Sequence, residues 1–266
     1  MDRSCPLCGR DNRSVGACHY SRPPWKLKRC SGCGFVYLEN AADYSSLRDQ
    51  MAWHKTYAAE AERRKLDNPV LYSASRASKA LIQRLFKPDK LISWVHRYLV
   101  PGPVLDVGCA DGHTLERLPL EFIPYGIEIS SELSAIARQR FASRGGHVVN
   151  ADAIHGLQQL AERFFTGVIM TGFLEHETNP QGVLLAAVRI MGAGTRLIIK
   201  VPNYACWNRA IRGKDWCGFR FPDHVNYFTP ALLTDLLTHT GFRIVRFSIA
   251  DHLPTSDNMW LVAEPR

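Results

Sequence analysis

No run of apolar residues in the 266-residue chain approaches the roughly 20 that a membrane-spanning helix requires, so no span is expected. The N-terminus, MDRSCPLCGR, lacks the apolar core of a secretory signal, which predicts a cytoplasmic protein whose cysteines stay reduced. Compositional bias is absent too: 46% hydrophobic and 22% charged residues suit a folded domain, and disorder is not expected. Acidic residues are outnumbered, 25 against 33 Lys and Arg, leaving a formal net charge of +8. That balance favours anionic partners without choosing among nucleic acid, phosphorylated metabolites and acidic glycans, and a solvated basic surface explains it equally well. The length suits one large domain with an appendage, or two modest ones.

The eight cysteines are few but ordered. CPLCG at 5–9 returns as CSGCG at 30–34, giving C-x2-C, a spacer of 21 residues, and C-x2-C. In a reducing compartment this spacing calls for a metal rather than disulfides. Cys5, Cys8, Cys30 and Cys33 would complete a closed tetrahedral thiolate shell, which is structural zinc chemistry with no open position for a substrate; an iron site of the same geometry stays open. Gly9 and Gly34 follow each second cysteine, where the backbone must fold under the metal. Cys18 and His19 lie between the pairs and could replace a ligand. Residues 1–42 are too few to build a core, so the ion is expected to hold this ribbon together.

From 43 to 100 the chain reads as helical, with MAWHKTYAAEAERRKLD, SRASKALIQRLFK and KLISWVHRYLV ending at or before prolines. This forms an expected helical cap. Pro101-Gly102-Pro103 marks the boundary to a third unit, 101–266. There, PVLDVGCADGHTLERL reads as a buried strand, a glycine-containing turn and a helix opening, an arrangement that favours an anionic group near the turn. YGIEIS is a second strand ending at Glu128, 22 positions after Asp106, where a carboxylate can accept from both hydroxyls of a ribose. HVVNADAI ends at Asp152, placed to receive an adenine amino group; GVIMTGFLEH and GTRLIIKVPN follow, and FRIVRFSIA and MWLVAEP supply two more. Strands alternating with helices predict an α/β fold, a doubly wound, seven-stranded, mostly parallel sheet with ligands at its carboxyl edge.

LDVGCADG, with Glu128 and Asp152 closing the next two strands, resembles the class I S-adenosylmethionine-dependent methyltransferases from about Pro103 onward. FLEH at 173–176 and HVNYFTPALLTDLLTHTGF from His224 resemble the quinone and small-molecule branch. The resemblance implies backbone contacts to the methionine part of the cofactor at Gly108, Ala110 and Gly112, with Asp106 opening the motif. It implies a ribose ligand at Glu128, an adenine contact at Asp152, and flanking of the ring by Ile129 and Ala153. Thr171, ending the fourth strand, completes the expected cofactor set. Some quinone methyltransferases of that branch carry a further glutamate of a cation site where Gly172 stands, so no metal is expected in the catalytic unit. A nicotinamide-binding domain fits less well, because Ala110 and His113 occupy places where G-x-G-x-x-G requires glycine.

The cofactor's methyl is already activated, so the enzyme must align a nucleophile and exclude water; a base is needed only if that nucleophile arrives protonated. His176 and His224 are the candidate bases, though each could equally be a histidine bonded to backbone. NYACWNRAIRGKDWCGFRFPDH reads as a substrate loop in which Trp207, Trp216, Phe219 and Phe221 line an apolar pocket and Arg209, Arg212, Lys214 and Arg220 meet an anion; packing beneath a long loop is the alternative. Cys109, Cys206 and Cys217 read as small buried fillers. The expected activity is methyl transfer to a small-molecule or sugar-containing metabolite, with an anionic acceptor allowed. Two others stay open: an RNA methyltransferase gripping its substrate with the ribbon, and an inactive zinc-tethered interaction module. Sparse aromatics in the first 40 residues disfavour RNA.

Overall fold

The computed structural model describes residues 2–42, 62 and 89–266. Apart from Glu62, the first two helical stretches expected in the cap lie outside the described residues.

The ribbon contributes two three-residue strands, β1 (Leu27–Arg29) and β2 (Val36–Leu38), paired antiparallel. Helix α1 (Lys90–Tyr98) is capped at its start by the Asp89 side chain, which accepts from the Leu91 amide. The chain then runs β3 (Gly102–Val107), α2 (His113–Glu116), β4 (Phe122–Ile127), α3 (Ser131–Ala142), β5 (His147–Val149), α4 (Ala153–Gln159), β6 (Gly167–Thr171), α5 (Pro180–Ile190) and β7 (Arg196–Pro202). Helix α6 (Trp207–Arg212), strand β8 (Asn226–Tyr227), helix α7 (Pro230–His239), β9 (Phe242–Arg246) and β10 (Asn258–Pro265) complete it. The seven-stranded sheet has the order β5-β4-β3-β6-β7-β10-β9, parallel from β5 to β7 and closed by β10, which runs antiparallel to both neighbours.

Each strand's period of two sorts its side chains onto two cores. Leu105, Met170 and Ile199 face one side, packed with Leu157 of α4, Val183 of α5 and Leu233 of α7. Val104, Ile169, Ile198 and Val262 face the other, with Ala137 and Phe141 of α3 and Leu91, Trp94 and Val95 of α1. The last helix of the 43–100 segment therefore lies directly on the catalytic sheet.

The ribbon is not an isolated appendage. Strand β2 pairs antiparallel with β8, in the register Val36 to Tyr227 and Tyr37 to Asn226, making a second sheet β1-β2-β8. Phe35, Tyr37, Cys5 and Cys30 join the main core. Leu27, Val36 and Leu38 pack with Trp216, Phe219, Val225 and Tyr227. Of the two expectations for the 203–224 loop, packing is the one the structure shows. Trp216 and Phe219 are buried against the ribbon, Trp207 is exposed, and none of the four loop aromatics lines the cavity described below. Among the described residues, no helix is long and apolar enough to cross a membrane.

Candidate functional site

At the N-terminus the two cysteine pairs converge. Gly9 and Gly34 have φ of +71° and +75°, and their amides donate to the carbonyls of Cys5 and Cys30, closing two matching turns. The sulfurs lie 3.6 Å apart for Cys5 and Cys33 and 3.4 Å for Cys8 and Cys30, and all four lie within 4.8 Å of one another. A tetrahedral zinc with bonds of about 2.3 Å would space its sulfurs about 3.8 Å apart, so the set fits such an ion. Burial works against a thiolate at Cys30, but amide donors from Cys33 and Gly32 outweigh it and bring the group down to about 6. Cys18 stands outside this cluster, packed in the ribbon core.

The carboxyl ends of β3 to β7 open on a cavity of about 640 Å³. Of the residues expected to meet a cofactor, Asp106, Gly108, Ala110, Glu128, Ile129, Asp152, Ala153 and Thr171 line it; Gly112 does not. Gly112 has φ of +81° and a Cβ there would stand 3.1 Å from the Ala137 backbone, so this glycine serves the approach of α3 to the turn. Gly108, at φ +76°, leaves room for the Phe173 ring, which a Cβ would meet at 2.7 Å. The helix opened by the turn is short, four residues from His113 to Glu116.

Glu128 organises the turn. Its Oε2 accepts from the Ala110 amide at 2.9 Å and its Oε1 from the Ser130 amide at 2.8 Å. The Ala110 N–H, which the resemblance directs toward the methionine part, is donated to Glu128 here. A carboxylate carries about four acceptor positions, and these amides take one on each oxygen. Asp152 caps α4 by accepting from the His155 amide at 3.1 Å and meets the His155 ring at 2.5 Å. Burial alone would raise Asp152, but these bonds hold it below the ordinary carboxylate range. Asp106, buried on the floor, is pushed up to about 8, first by burial and then by the Glu128 charge. Two carboxyl groups in one cavity floor suit a cationic ligand.

The opposite wall carries the histidines. His176 directs Nδ1 to the Asp223 carbonyl at 3.0 Å, and His224 directs Nδ1 to the Gly218 carbonyl at 2.8 Å. A carbonyl only accepts, so in each neutral ring Nδ1 carries the proton and Nε2 the lone pair. The rings meet edge to face with centroids 4.8 Å apart. Glu175 completes the group: ligand-capable atoms of Glu175, His176 and His224 lie within 4.8 Å of one another, a set that could hold a cation. Glu175 Oε2 is buried without a hydrogen-bond partner among the described residues, and burial raises the carboxyl to about 7. His176 is lowered to about 4 by burial and by Arg220.

Lys200 and Arg220 also line the cavity, and both act on the Glu175 charge. Sequence reasoning named Arg220 but missed Lys200, which looks like part of an apolar strand; its signal is a lone cation at the carboxyl end of LIIK. Of the other loop cations, Arg209 is committed to the Tyr204 carbonyl and the Tyr20 hydroxyl.

Residues 75–246 match a family described as a methyltransferase domain. The chain belongs to the class I S-adenosylmethionine-dependent methyltransferases. Its fold is similar to that of the CcbJ methyltransferase of Streptomyces caelestis, at 16% identity and a TM-score of 0.55 over 66% of this chain and 94% of that one. It is also similar to a methyltransferase of Thermotoga maritima titled a possible histamine N-methyltransferase, at 18% identity and a TM-score of 0.52 over 80% and 100% of the two chains. A methyltransferase of Clostridium acetobutylicum matches with 12% identity and a TM-score of 0.52 over 72% and 99%. A comparison with curated proteins finds no significant match. S-adenosylmethionine is the cofactor implied by this methyltransferase family, and the cavity's carboxyl-rich floor fits its cationic sulfonium and amino groups.

Proposed function

We propose that this methyltransferase acts on a small-molecule or sugar-containing metabolite, with the ribbon as a structural zinc module. S-adenosylmethionine, when bound, supplies an activated methyl group. Asp106, Glu128 and Asp152 would hold the cofactor, together with Gly108, Ala110, Ile129, Ala153 and Thr171, while the Glu175, His176 and His224 wall receives the acceptor. The observation that carries this reading is that wall: two imidazoles with fixed tautomers and a buried, unpartnered carboxylate oxygen, in the same cavity as the cofactor carboxylates. The cavity's size falls within the roughly 300–1,000 Å³ typical of small-molecule sites.

Of the two histidines, we assign the base to His224, whose Nε2 is left for the acceptor when Nδ1 donates to the Gly218 carbonyl. His176, at about 4, stays neutral but holds an abstracted proton weakly. His224 Nε2 takes the proton from an acceptor hydroxyl or amine, and Glu175 orients the acceptor through its open oxygen. Lys200 and Arg220 suit an acceptor bearing an anionic group.

Three of the ribbon's seven Lys and Arg side chains are engaged within the fold, whereas Arg10, Lys26 and Arg29 are exposed, so the preference for a small acceptor over RNA rests on the cavity and not on the ribbon's charge. Lys28 is buried 3.5 Å from Glu39, Arg13 pairs with Asp11, and the Arg3 guanidinium is turned inward onto backbone carbonyls. The test is a screen of small metabolites and of transcripts for uptake of labelled methyl. His224→Ala should lower turnover on the acceptor found by about 10²–10⁴-fold, with S-adenosylhomocysteine affinity unchanged. Unchanged turnover excludes His224 as base, and methylation confined to RNA, with binding that weakens steeply in salt, overturns the small-molecule assignment.

A further inference from the structure

Arg3 stands two residues before the first cysteine of the cluster, and its guanidinium reaches three separate pieces of chain. Nε donates to the Leu38 carbonyl of β2 at 2.9 Å, and Nη1 to the Thr178 carbonyl at 3.0 Å. Nη2 donates to the Val225 carbonyl at 2.6 Å and to Asn226 Oδ1 at 2.9 Å. Leu38 belongs to the ribbon. Thr178 lies two residues past His176, and Val225 directly follows His224.

The two histidine-bearing segments are also locked to each other behind the wall. The Val225 and Asn226 amides donate to the Glu175 carbonyl at 2.7 and 3.1 Å. Asn226 Nδ2 donates to the carbonyls of Leu174 and Glu177 at 2.8 and 2.5 Å. The Leu38 amide donates to the Val225 carbonyl at 2.9 Å, and Gln181 Nε2 to the Leu7 carbonyl inside the first cysteine turn at 2.8 Å. A planar five-donor fork can serve several carbonyls at once, which a lysine ammonium on a flexible stem cannot do with the same geometry.

We propose that Arg3 is a positioning residue: its guanidinium ties the segments 174–178 and 223–227 to ribbon strand β2, so that the cysteine turns hold His176 and His224 in place at the acceptor wall. This rests on the assignment of those histidines to the acceptor site. The N-terminal module then acts on the acceptor wall from behind, through backbone carbonyls on either side of the two histidines.

The test uses the full zinc-loaded chain, labelled at histidine, with S-adenosylhomocysteine as the probe and no acceptor. The readouts are solvent exchange of the His176 Nδ1 proton donated to Asp223, exchange of the Val225 and Asn226 amides, and calorimetric affinity for the probe. Arg3→Lys keeps the charge and removes the fork. It should speed exchange at all three sites at least about tenfold, a lowering of local opening cost by about 1.4 kcal/mol, while probe affinity stays within about twofold. Arg3→Gln also removes the fork and decides the matter if Arg3→Lys does not fold; stripping the metal from the wild-type chain with a chelator should speed the same three sites as well. Exchange in a folded Arg3 variant that matches wild type overturns the proposal, as does a loss of probe affinity that parallels the faster exchange. Because no acceptor is used, these outcomes are separate from the His224→Ala result, which tests the functional assignment itself.

Discussion

Cys30→Ser is expected to cost the protein its ribbon. The variant should lose about one equivalent of zinc per chain by metal analysis, and the segment around Lys26–Arg29 should become open to trypsin. Apparent zinc affinities of small thiolate modules, about 10–16 kcal/mol, are comparable to the stability of whole domains, so an ion at this site would add a large term to the packing that holds residues 2–42. The consequence reaches further than the ribbon, because β2 is the sheet partner of β8 and Phe35 and Tyr37 belong to the main core. Loss of the metal should therefore lower the melting temperature of the catalytic unit as well. A Cys30→Ser protein that retains its zinc and its melting temperature contradicts the assignment.

Asp106→Asn is expected to make the ligand-free protein more stable and more tolerant of alkaline pH. In the folded chain Asp106 keeps its proton up to about pH 8, first because it is buried and then because Glu128 is charged, whereas an unfolded aspartate loses it near its ordinary value of 3.8. Between those values the unfolded state binds fewer protons, so stability falls as pH rises and the penalty is complete above about 8. The penalty is of the order of a few kcal/mol, which for a chain of this size corresponds to roughly 5–10 °C in melting temperature. Asparagine removes it, so the gain should be small near pH 4 and largest near pH 8 in thermal melts without ligand. Glu175, raised to about 7 by burial, adds a slope of the same sign that the substitution leaves in place. On the proposed cofactor assignment, a cationic ligand on the cavity floor reverses this cost. Asp106→Asn should therefore bind S-adenosylmethionine more weakly while melting higher. A variant that melts below wild type at pH 8 contradicts the electrostatic account of the floor.

The parts legible in the sequence were those with local signals. Strand-end carboxylates at Asp106, Glu128 and Asp152 could be placed because each closes a short apolar run, and the run itself fixes where the sheet's carboxyl edge lies. The cysteine turns were legible because metal spacing is a short-range constraint. What escaped was non-local. Strand β8 is two residues long, and nothing in Asn226-Tyr227 announces that its partner lies nearly 190 positions earlier, at Val36-Tyr37. The loop aromatics were read as pocket lining or as packing because an aromatic side chain carries no label for which surface it covers; only the ribbon's position decides that Trp216 and Phe219 are buried under it. Arg3 gave no signal at all, since its partners, three backbone carbonyls and the Asn226 side chain, are brought to it by the fold. Gly112 was expected to meet the cofactor from its place in the turn; the packing of α3 against it, with the Ala137 backbone and the Phe141 ring where a Cβ would stand, had no sequence signal.

The central claim is that the carboxyl edge of β3 to β6 holds the adenosyl cofactor. Isothermal titration calorimetry of S-adenosylhomocysteine into the zinc-loaded full chain tests it most directly. The expected result is saturable binding at one site per chain, weakened at least about 100-fold by Glu128→Ala, as the loss of two hydrogen bonds to a charged group requires. No binding by the wild-type chain, or equal binding by the Glu128→Ala variant, contradicts the claim.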